Sequence, residues 1–464
     1  MSRGVAEARP LGASFRDPAG FVFERGGTLL RQVNLEYRQH YELLESSGLL
    51  RALWDQGLLV PHEVVDEPPA DPGSAWRVLR PQRVELVSYP WEWSFSQLRD
   101  AALATLRIQE LALAHGMSLK DASALNLQLV DGRPVFIDTL SFEALREGAP
   151  WVAYRQFCRH FLAPLALVAH VDWRLAALSR LHVDGVPLDL ASGLLPWTSH
   201  LSFGLSVHLH LHARLERRSA GAAGGVRPAR VSRESLAGLV QSLASACAGL
   251  RWRPPSTEWG DYRPEGSYSG EALAAKKAAV SALLGRARPR TVWDLGANAG
   301  EFSRLAAGLG ARVVAFDADP VAVEASWQAA RDRADGRVLP LLMDLTNPSG
   351  DQGWAHREHR SLQSRGPADL VMALALVHHL ALGYHVPLPA FAAWLASLGR
   401  RALVEFVPRE DPRAAQLLAT RPGAFPGYHQ TGFEEALAGP FEVEERRSLE
   451  GSGRVLYLLR RRAP

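Results

Sequence analysis

The stretch Arg290-Thr-Val-Trp-Asp294-Leu-Gly296-Ala-Asn298-Ala-Gly300-Glu-Phe302 decides how the second half of the chain is read. A short apolar run, Thr291 to Trp293, ends in Asp294, and Gly296 and Gly300 then bracket a turn that opens into a helical pattern. Glycine accepts positive φ and lets the backbone approach a ligand closely. Ligands of open α/β sheets sit at the carboxyl ends of the strands, so strand, glycine turn and helix in succession describe a nucleotide-cofactor loop. The nicotinamide form requires G-x-G-x-x-G, and here Asn298 and Glu301 stand where its second and third glycines belong. The pattern is instead D-x-G-x-x-x-G, with its acid at Asp294.

Working outward, strands and helices alternate as a parallel, doubly wound sheet requires. A second strand, Arg312–Phe316, ends in Asp317, about twenty residues after the glycine turn, where a carboxylate accepts ribose hydroxyls. Asp319-Pro320 reads as the cap and first position of the next helix. A third strand, Arg337–Met343, ends in Asp344-Leu345. A fourth, Asp369–Leu374, contains Ala373 and leads to Leu376-Val377-His378-His379-Leu380. A fifth, Arg401–Phe406, ends in Glu405-Phe406-Val407-Pro408. Phe441–Ser448, a Gly451-Ser-Gly453 turn and Arg454–Leu459 then form a closing hairpin.

This arrangement resembles the class I S-adenosylmethionine-dependent methyltransferases over about residues 271–459. The resemblance implies a Rossmann-like doubly wound sheet with a terminal antiparallel hairpin, which nicotinamide folds lack, and S-adenosyl-L-methionine as cofactor. It implies a cofactor set of Asp294, Gly296, Asn298, Gly300, Asp317, Asp344, Leu345 and Ala373, with Asp317 on the ribose and Asp344 on the adenine amino group. Asn298 departs from the usual central glycine. His378 and His379 are candidate bases, and Glu405 is a candidate ligand for an acceptor amine or hydroxyl. Tyr428-His429 belong to a late loop that would cover the acceptor. The helical run 271–284 packs in front of the first strand, with Lys276 or Lys277 as residues that would close over the cofactor.

The acceptor is narrowed by what is missing. No N-P-P-Y follows the fourth strand, which argues against nucleobase amines, and the half after residue 271 has no cysteine for covalent pyrimidine chemistry. The 52 basic residues are interleaved with 49 acidic ones, for a net charge of +3, and no basic stripe marks a nucleic-acid surface. O- or N-methylation of a small molecule or saccharide is the expectation, with an RNA or protein acceptor as the alternative. The His378-His379 loop and Glu405–Pro408 are also similar to bacterial two-domain, nodulation-type methyltransferases.

At 464 residues the chain is long enough for two or three domains. Residues 1–216 read as an α+β domain, 217–231 as a glycine- and alanine-rich linker, 232–270 as a connecting helix with an aromatic segment, and 271–464 as the methyltransferase domain. Met1–Arg16 reads as a frayed end, and Leu35 to Asp55 as one helical stretch. Phe95–His115 reads as a helix capped by Ser94 or Ser96. Phe21–Glu24, Thr28–Val33, Glu63–Asp66, Arg77–Leu79 and Val84–Val87 read as strands.

Asp131-Gly132 between alternating apolar runs signals a hairpin, flanked by Asp121, Asn126 and Asp138. An aspartate, an asparagine five positions on and an aspartate beyond a hairpin resemble the catalytic and metal-binding loops of protein-kinase-like folds. Leu119-Lys120 stands in place of His-Arg, Thr139-Leu140 follows Asp138 in place of Phe-Gly, and Arg31 is the nearest cation in the early strands. These departures imply a degenerate relative that recognises substrate or partner, and ATP binding is the alternative. His208, His210 and His212 alternate with apolar residues in a row that zinc would accept on a strand or helix, although no acid or cysteine stands beside them. A solvated or core row is the plainer reading. The two cysteines, Cys158 and Cys247, form no metal motif, and with no apolar signal region or span they point to a cytoplasmic protein.

Overall fold

The computed structural model describes residues 7–219, 230–257, 270–333, 336–419 and 425–463. Most of the glycine-rich linker, and Trp259, Tyr262 and Tyr268 of the aromatic segment, lie outside the described residues. The chain divides into two compact units. One comprises residues 1–253 with 351–359, and the other residues 254–350 with 360–464.

The first unit opens with a five-stranded antiparallel sheet. Its strands are β1 (Arg9–Pro10), β2 (Gly20–Arg25), β3 (Thr28–Asn34), β4 (His62–Val65) and β5 (Ala75–Pro81), in the order β1-β2-β3-β5-β4. Residues 9–16 are therefore not a frayed end. Arg9 and Pro10 pair with Glu24 and Phe23, and Arg16 is ion-paired with Glu358. The expected single helix over 35–55 is two, Arg38–Ser46 and Leu49–Asp55, because Gly48 takes φ +81° between them. Val84–Val87 is not a strand.

Ser94 accepts from the Gln97 amide, and Gln97 reaches back to the Ser94 amide, a reciprocal cap that starts the 20-residue helix Phe95–Ala114. Beyond it come β6 (Met117–Leu119), the hairpin β7 (Leu127–Val130) and β8 (Arg133–Phe136), and β9 (Phe142–Ala144). β6 pairs with β9, so the hairpin is an excursion between two strands that close on each other. Among the described residues the rest of the unit is mainly helical. The helix Arg233–Gly249, capped by Ser232 as expected, packs along Phe95–Ala114.

The second unit is a seven-stranded sheet of β10 (Thr291–Leu295), β11 (Arg312–Asp317), β12 (Val338–Leu342), β13 (Ala368–Ala373), β14 (Gly399–Phe406), β15 (Phe441–Ser448) and β16 (Val455–Arg461). The order is β12-β11-β10-β13-β14-β16-β15. β10 to β14 run parallel, and β16 inserts antiparallel between β14 and β15. Each expected strand appears within a few residues of its expected ends. Their inner residues, among them Val292, Leu370, Met372, Leu403 and Leu456, are all but fully buried against the helices Gly270–Ala287 and Glu301–Gly308. That continuous apolar character is what a sheet covered on both faces demands. The strand order reverses between β10 and β13, and the crevice at such a switch point is where open α/β sheets bind ligands.

Candidate active site

The glycine loop is built against the end of β11. The amides of Gly296 and Ala297 both donate to the Phe316 carbonyl, at 2.9 and 3.0 Å, and the Asn298 amide donates to Asp317 Oδ2 at 2.6 Å. The turn demands left-handed backbone. Gly296 has φ +71°, Asn298 +49° and Gly300 +78°. Asparagine tolerates that region better than most residues, which explains how it replaces the central glycine. A Cβ on Gly300 would lie 2.8 Å from Ser326 Oγ, and one on Gly296 would lie 3.2 Å from Leu376 Cδ1.

The three acids expected in the cofactor set lie at or just past adjacent strand ends. Asp294 is almost fully buried in β10 and accepts from Ser303 Oγ at 2.6 Å; burial pushes its carboxyl up to about 6. Asp317 closes β11 half-buried. Its two oxygens take the Asn298 amide and the Asp319 amide (2.8 Å), and burial raises its pKa. Each oxygen keeps a second lone pair. Asp344 lies two residues past β12 on the surface, in a turn where its Oδ1 accepts from the Thr346 amide and hydroxyl at 2.8 and 2.7 Å. Leu345 beside it is half-buried. Asp319 is the cap of the helix Pro320–Asp332, as its Asp-Pro pattern indicates. Ala373 is the fully buried last residue of β13.

His378 and His379 follow β13 at the entry to a π-helical turn, His379–Gly383. Their rings lie 4.0 Å apart. His378 is buried, and its Nδ1 has no hydrogen-bond partner among the described residues. Burial lowers its pKa well below the ordinary histidine value and lowers that of half-buried His379 to about 4, so both imidazoles are neutral near pH 7.

Glu405 takes a different place from the expected one. It has no exposure, and its oxygens meet Lys276 Nζ at 2.6 Å and Arg454 Nη1 at 3.2 Å. Arg454 Nε also donates to Asp411 at 2.8 Å. The four form a charge-alternating chain inside the unit, and a carboxylate so held is an internal counter-ion rather than an acceptor ligand. Lys276 accordingly turns inward, while Lys277 pairs with Glu301 at 2.5 Å. Tyr428 is also interior, donating to the Val407 carbonyl at 2.8 Å, and His429 caps the helix Gln430–Ala438. Arg454, Asp411 and Ser326 were not legible as site residues, because only the closing hairpin and loop packing bring them here.

In the first unit the three histidines point to different partners. His208 bonds Tyr154 and Ser242, His210 bonds Ser192 and Ser199, and His212 stacks on Tyr154 near Glu216. Among the described residues no group of three or more His, Cys, Asp or Glu side chains is placed to hold a metal. Asp138 is engaged by Arg31 and by Ser141, whose hydroxyl also accepts from Asn126 at 3.3 Å. Burial alone would raise the Asp138 carboxyl, but Arg31, Ser141 and the Leu140 amide together hold it below its ordinary value. Asp121, between β6 and β7, is raised by burial.

No family model matches the chain. Against a curated protein, the nodulation protein NoeA of Rhizobium meliloti (strain 1021), it is 34% identical over 472 residues, which cover 98% of each chain. The chain belongs to the NoeA family. Solved structures similar to it include magnesium protoporphyrin IX methyltransferase (ChlM) of Synechocystis PCC 6803 with bound SAH. That match has 21% identity, covers 41% of this chain and 84% of that one, and has a TM-score of 0.31. Another is the N-methyltransferase NodS of Bradyrhizobium japonicum WM9, at 14% identity, 42% and 99% coverage and a TM-score of 0.32. A third is the bifunctional kinase-methyltransferase WbdD, at 19% identity, 40% and 39% coverage and a TM-score of 0.29. The strand order and terminal hairpin of the second unit are themselves those of the class I S-adenosylmethionine-dependent methyltransferase fold. No helix among the described residues is long and apolar enough to cross a membrane.

Proposed function

We propose that this member of the NoeA family transfers a methyl group from S-adenosyl-L-methionine to an oxygen or nitrogen atom of a small molecule or saccharide. The observation that carries the reading is the glycine loop hydrogen-bonded across the end of β11, with Asp317 fixed by the Asn298 and Asp319 amides. The cradle left by Gly296 and Gly300, and the buried Ser326 Oγ beside Gly300, which has no partner among the described residues, fit a polar ligand laid along the loop.

The cofactor, when bound, supplies an electrophilic methyl on a sulfonium centre. Gly296 and Gly300 would admit it, Asp317 would accept its ribose hydroxyls, and Asp344 with Leu345 would flank its base. Asp294, kept partly protonated near pH 6 by burial, holds the loop through Ser303. Ala373 and the buried residues after it wall the crevice and exclude water. Positioning supplies most of the acceleration of such a transfer. A neutral imidazole at His378 or His379 is suited to accept a hydrogen bond from an acceptor hydroxyl or amine and so to align its lone pair. With pKa values this low, strong general-base catalysis is a secondary role.

The experiment is S-adenosylmethionine calorimetry on wild type and Asp317→Ala. Loss of the ribose partner should cost about 2 kcal/mol, or more than tenfold in affinity. Failure of the wild type to bind would sink the proposal.

For residues 1–216 we infer a degenerate kinase-like domain that recognises substrate or partner. The favouring observation is the β6–β9 pair around the β7–β8 hairpin, which brings Asn126, Asp138 and Ser141 into one cluster with Arg31. An arginine paired with Asp138 supplies the charge that a metal would otherwise bring. Magnesium-ATP binding that is lost in Asp138→Ala would replace this reading with a bifunctional phosphotransferase.

A further inference from the structure

The end of the second unit's sheet away from the glycine loop carries a strongly basic cleft. β10 to β14 all start at this end, and β16, running the other way, finishes there. The turn before β10 contributes Arg288 and Arg290, the first residues of β14 contribute Arg400 and Arg401, and the end of β16 contributes Arg460 to Arg462. Together they line a cleft of about 650 Å³ in which seven arginines meet one lining carboxylate, Asp369, and with Glu442 and Glu444 on the flank the group carries a formal charge of +4. The whole chain carries only +3, so the positive charge is concentrated here.

Local geometry leaves this charge weakly compensated. Arg290 and Arg400, with side chains 88% and 65% exposed, share the single Asp369 carboxylate at 3.6 Å each. Asp369 in turn accepts from the Arg290 and Thr291 amides, which divides it further. Arg401 and Arg460 are braced from the flank by Glu444 and Glu442. Arg461 and Arg462 are braced by backbone carbonyls, through Nη1 to Ala396 and through Nε to Ala438 and Phe441. A guanidinium tied by one nitrogen still presents further N–H donors. Arg288 adopts φ +44°, a left-handed conformation costly for a non-glycine residue and enriched at ligand clamps.

We propose that this cleft binds a small ligand carrying two or more phosphate groups, such as a nucleoside or sugar diphosphate. Planar guanidinium groups match phosphate oxygens in pairs. A concave site of this volume fits a small molecule rather than a membrane plane or a duplex.

The test is calorimetric titration of the full chain with inorganic pyrophosphate, and with uridine diphosphate as the organic arm, at low salt. Wild type should bind, and Arg290→Glu/Arg400→Glu should bind about tenfold more weakly or worse. Arg146→Glu, an exposed arginine of the other unit, should change nothing. Tighter binding of uridine diphosphate assigns an organic diphosphate, and equal binding assigns the phosphates alone. S-adenosylmethionine affinity, measured on the same double variant, reports that it is folded and keeps this proposal separate from the methyl-transfer reading. Neither probe binding to wild type, or equal binding to the double variant, overturns the site. Tight binding of a duplex oligonucleotide in place of both probes overturns the small-ligand assignment.

Discussion

The two units each hold a cluster of carboxylates that are half-buried or buried, and the clusters are satisfied in opposite ways. In the second unit Asp294 and Asp317 are met by a hydroxyl and by backbone amides, and both carboxyls are pushed upward by burial. In the first unit Asp138 is met by the Arg31 guanidinium and held low. Amides and hydroxyls leave lone pairs for a neutral ligand to use, whereas a buried arginine satisfies the charge itself and closes the position. The second unit contains both solutions. Glu405, a short distance along the sheet, is closed by Lys276 and Arg454 as Asp138 is by Arg31. Whether an acid at a strand end serves a ligand or the fold depends on which cation folding brings to it.

Substitutions can break this contrast. The largest effect is expected at Glu405. Glu405→Ala removes the buried carboxylate that Lys276 and Arg454 share and leaves Arg454 with Asp411 as its acid, which should destabilise the second unit by about 3–5 kcal/mol in denaturant unfolding. An unchanged midpoint would mean that the buried chain is not the structural element inferred here. Next comes the asymmetry between clusters. Asp317→Ala should lose about 2 kcal/mol of S-adenosylmethionine affinity, while Asp138→Ala should leave that affinity as it was. Equal losses would erase the distinction between an open and a closed carboxylate. Gly300→Ala places a Cβ at φ +78° against Ser326, and should cost about 1–2 kcal/mol of stability together with weaker cofactor binding.

The smallest expected effect is that of pH. His62, His208, His210 and His379 are lowered to about 4 and His160 to about 3, all chiefly by burial. The unfolded chain takes up protons on these rings below about pH 6.5 while the folded chain does not, so stability should fall between pH 6.5 and 4. Asp294, raised to about 6, opposes this, because the folded state gains its proton first. Asp317 and Asp121, also raised by burial, act in the same sense as Asp294, and the five rings outweigh the three carboxyls. Denaturant midpoints at pH 7 and pH 5 should therefore show the lower value at pH 5, and a higher value there would show that the carboxyls dominate.

Much of the second unit was legible because its signals are local. Period and punctuation placed β10 to β16 within a few residues, the glycine spacing located the loop, and Asp319-Pro320 announced a helix cap. In the first unit the hairpin at Asp131-Gly132 and the Ser94 cap were equally local, and both appear. The break at Gly48 and the pairing of Arg9-Pro10 were missed. A glycine inside an otherwise helical run has two readings, and a two-residue edge strand exists only through its partner.

The sequence by itself determined the order of elements, the glycine loop and the acids at the ends of β10 and β11, since each follows from residues a few positions apart. Tertiary structure alone decided the fate of Glu405, Lys276, Tyr428 and Asp138. It also decided the gathering of arginines from before β10, the start of β14 and the end of β16. Each of those outcomes depends on a partner tens to more than a hundred residues away, and charge compensation in a buried site is a property of the assembled neighbours.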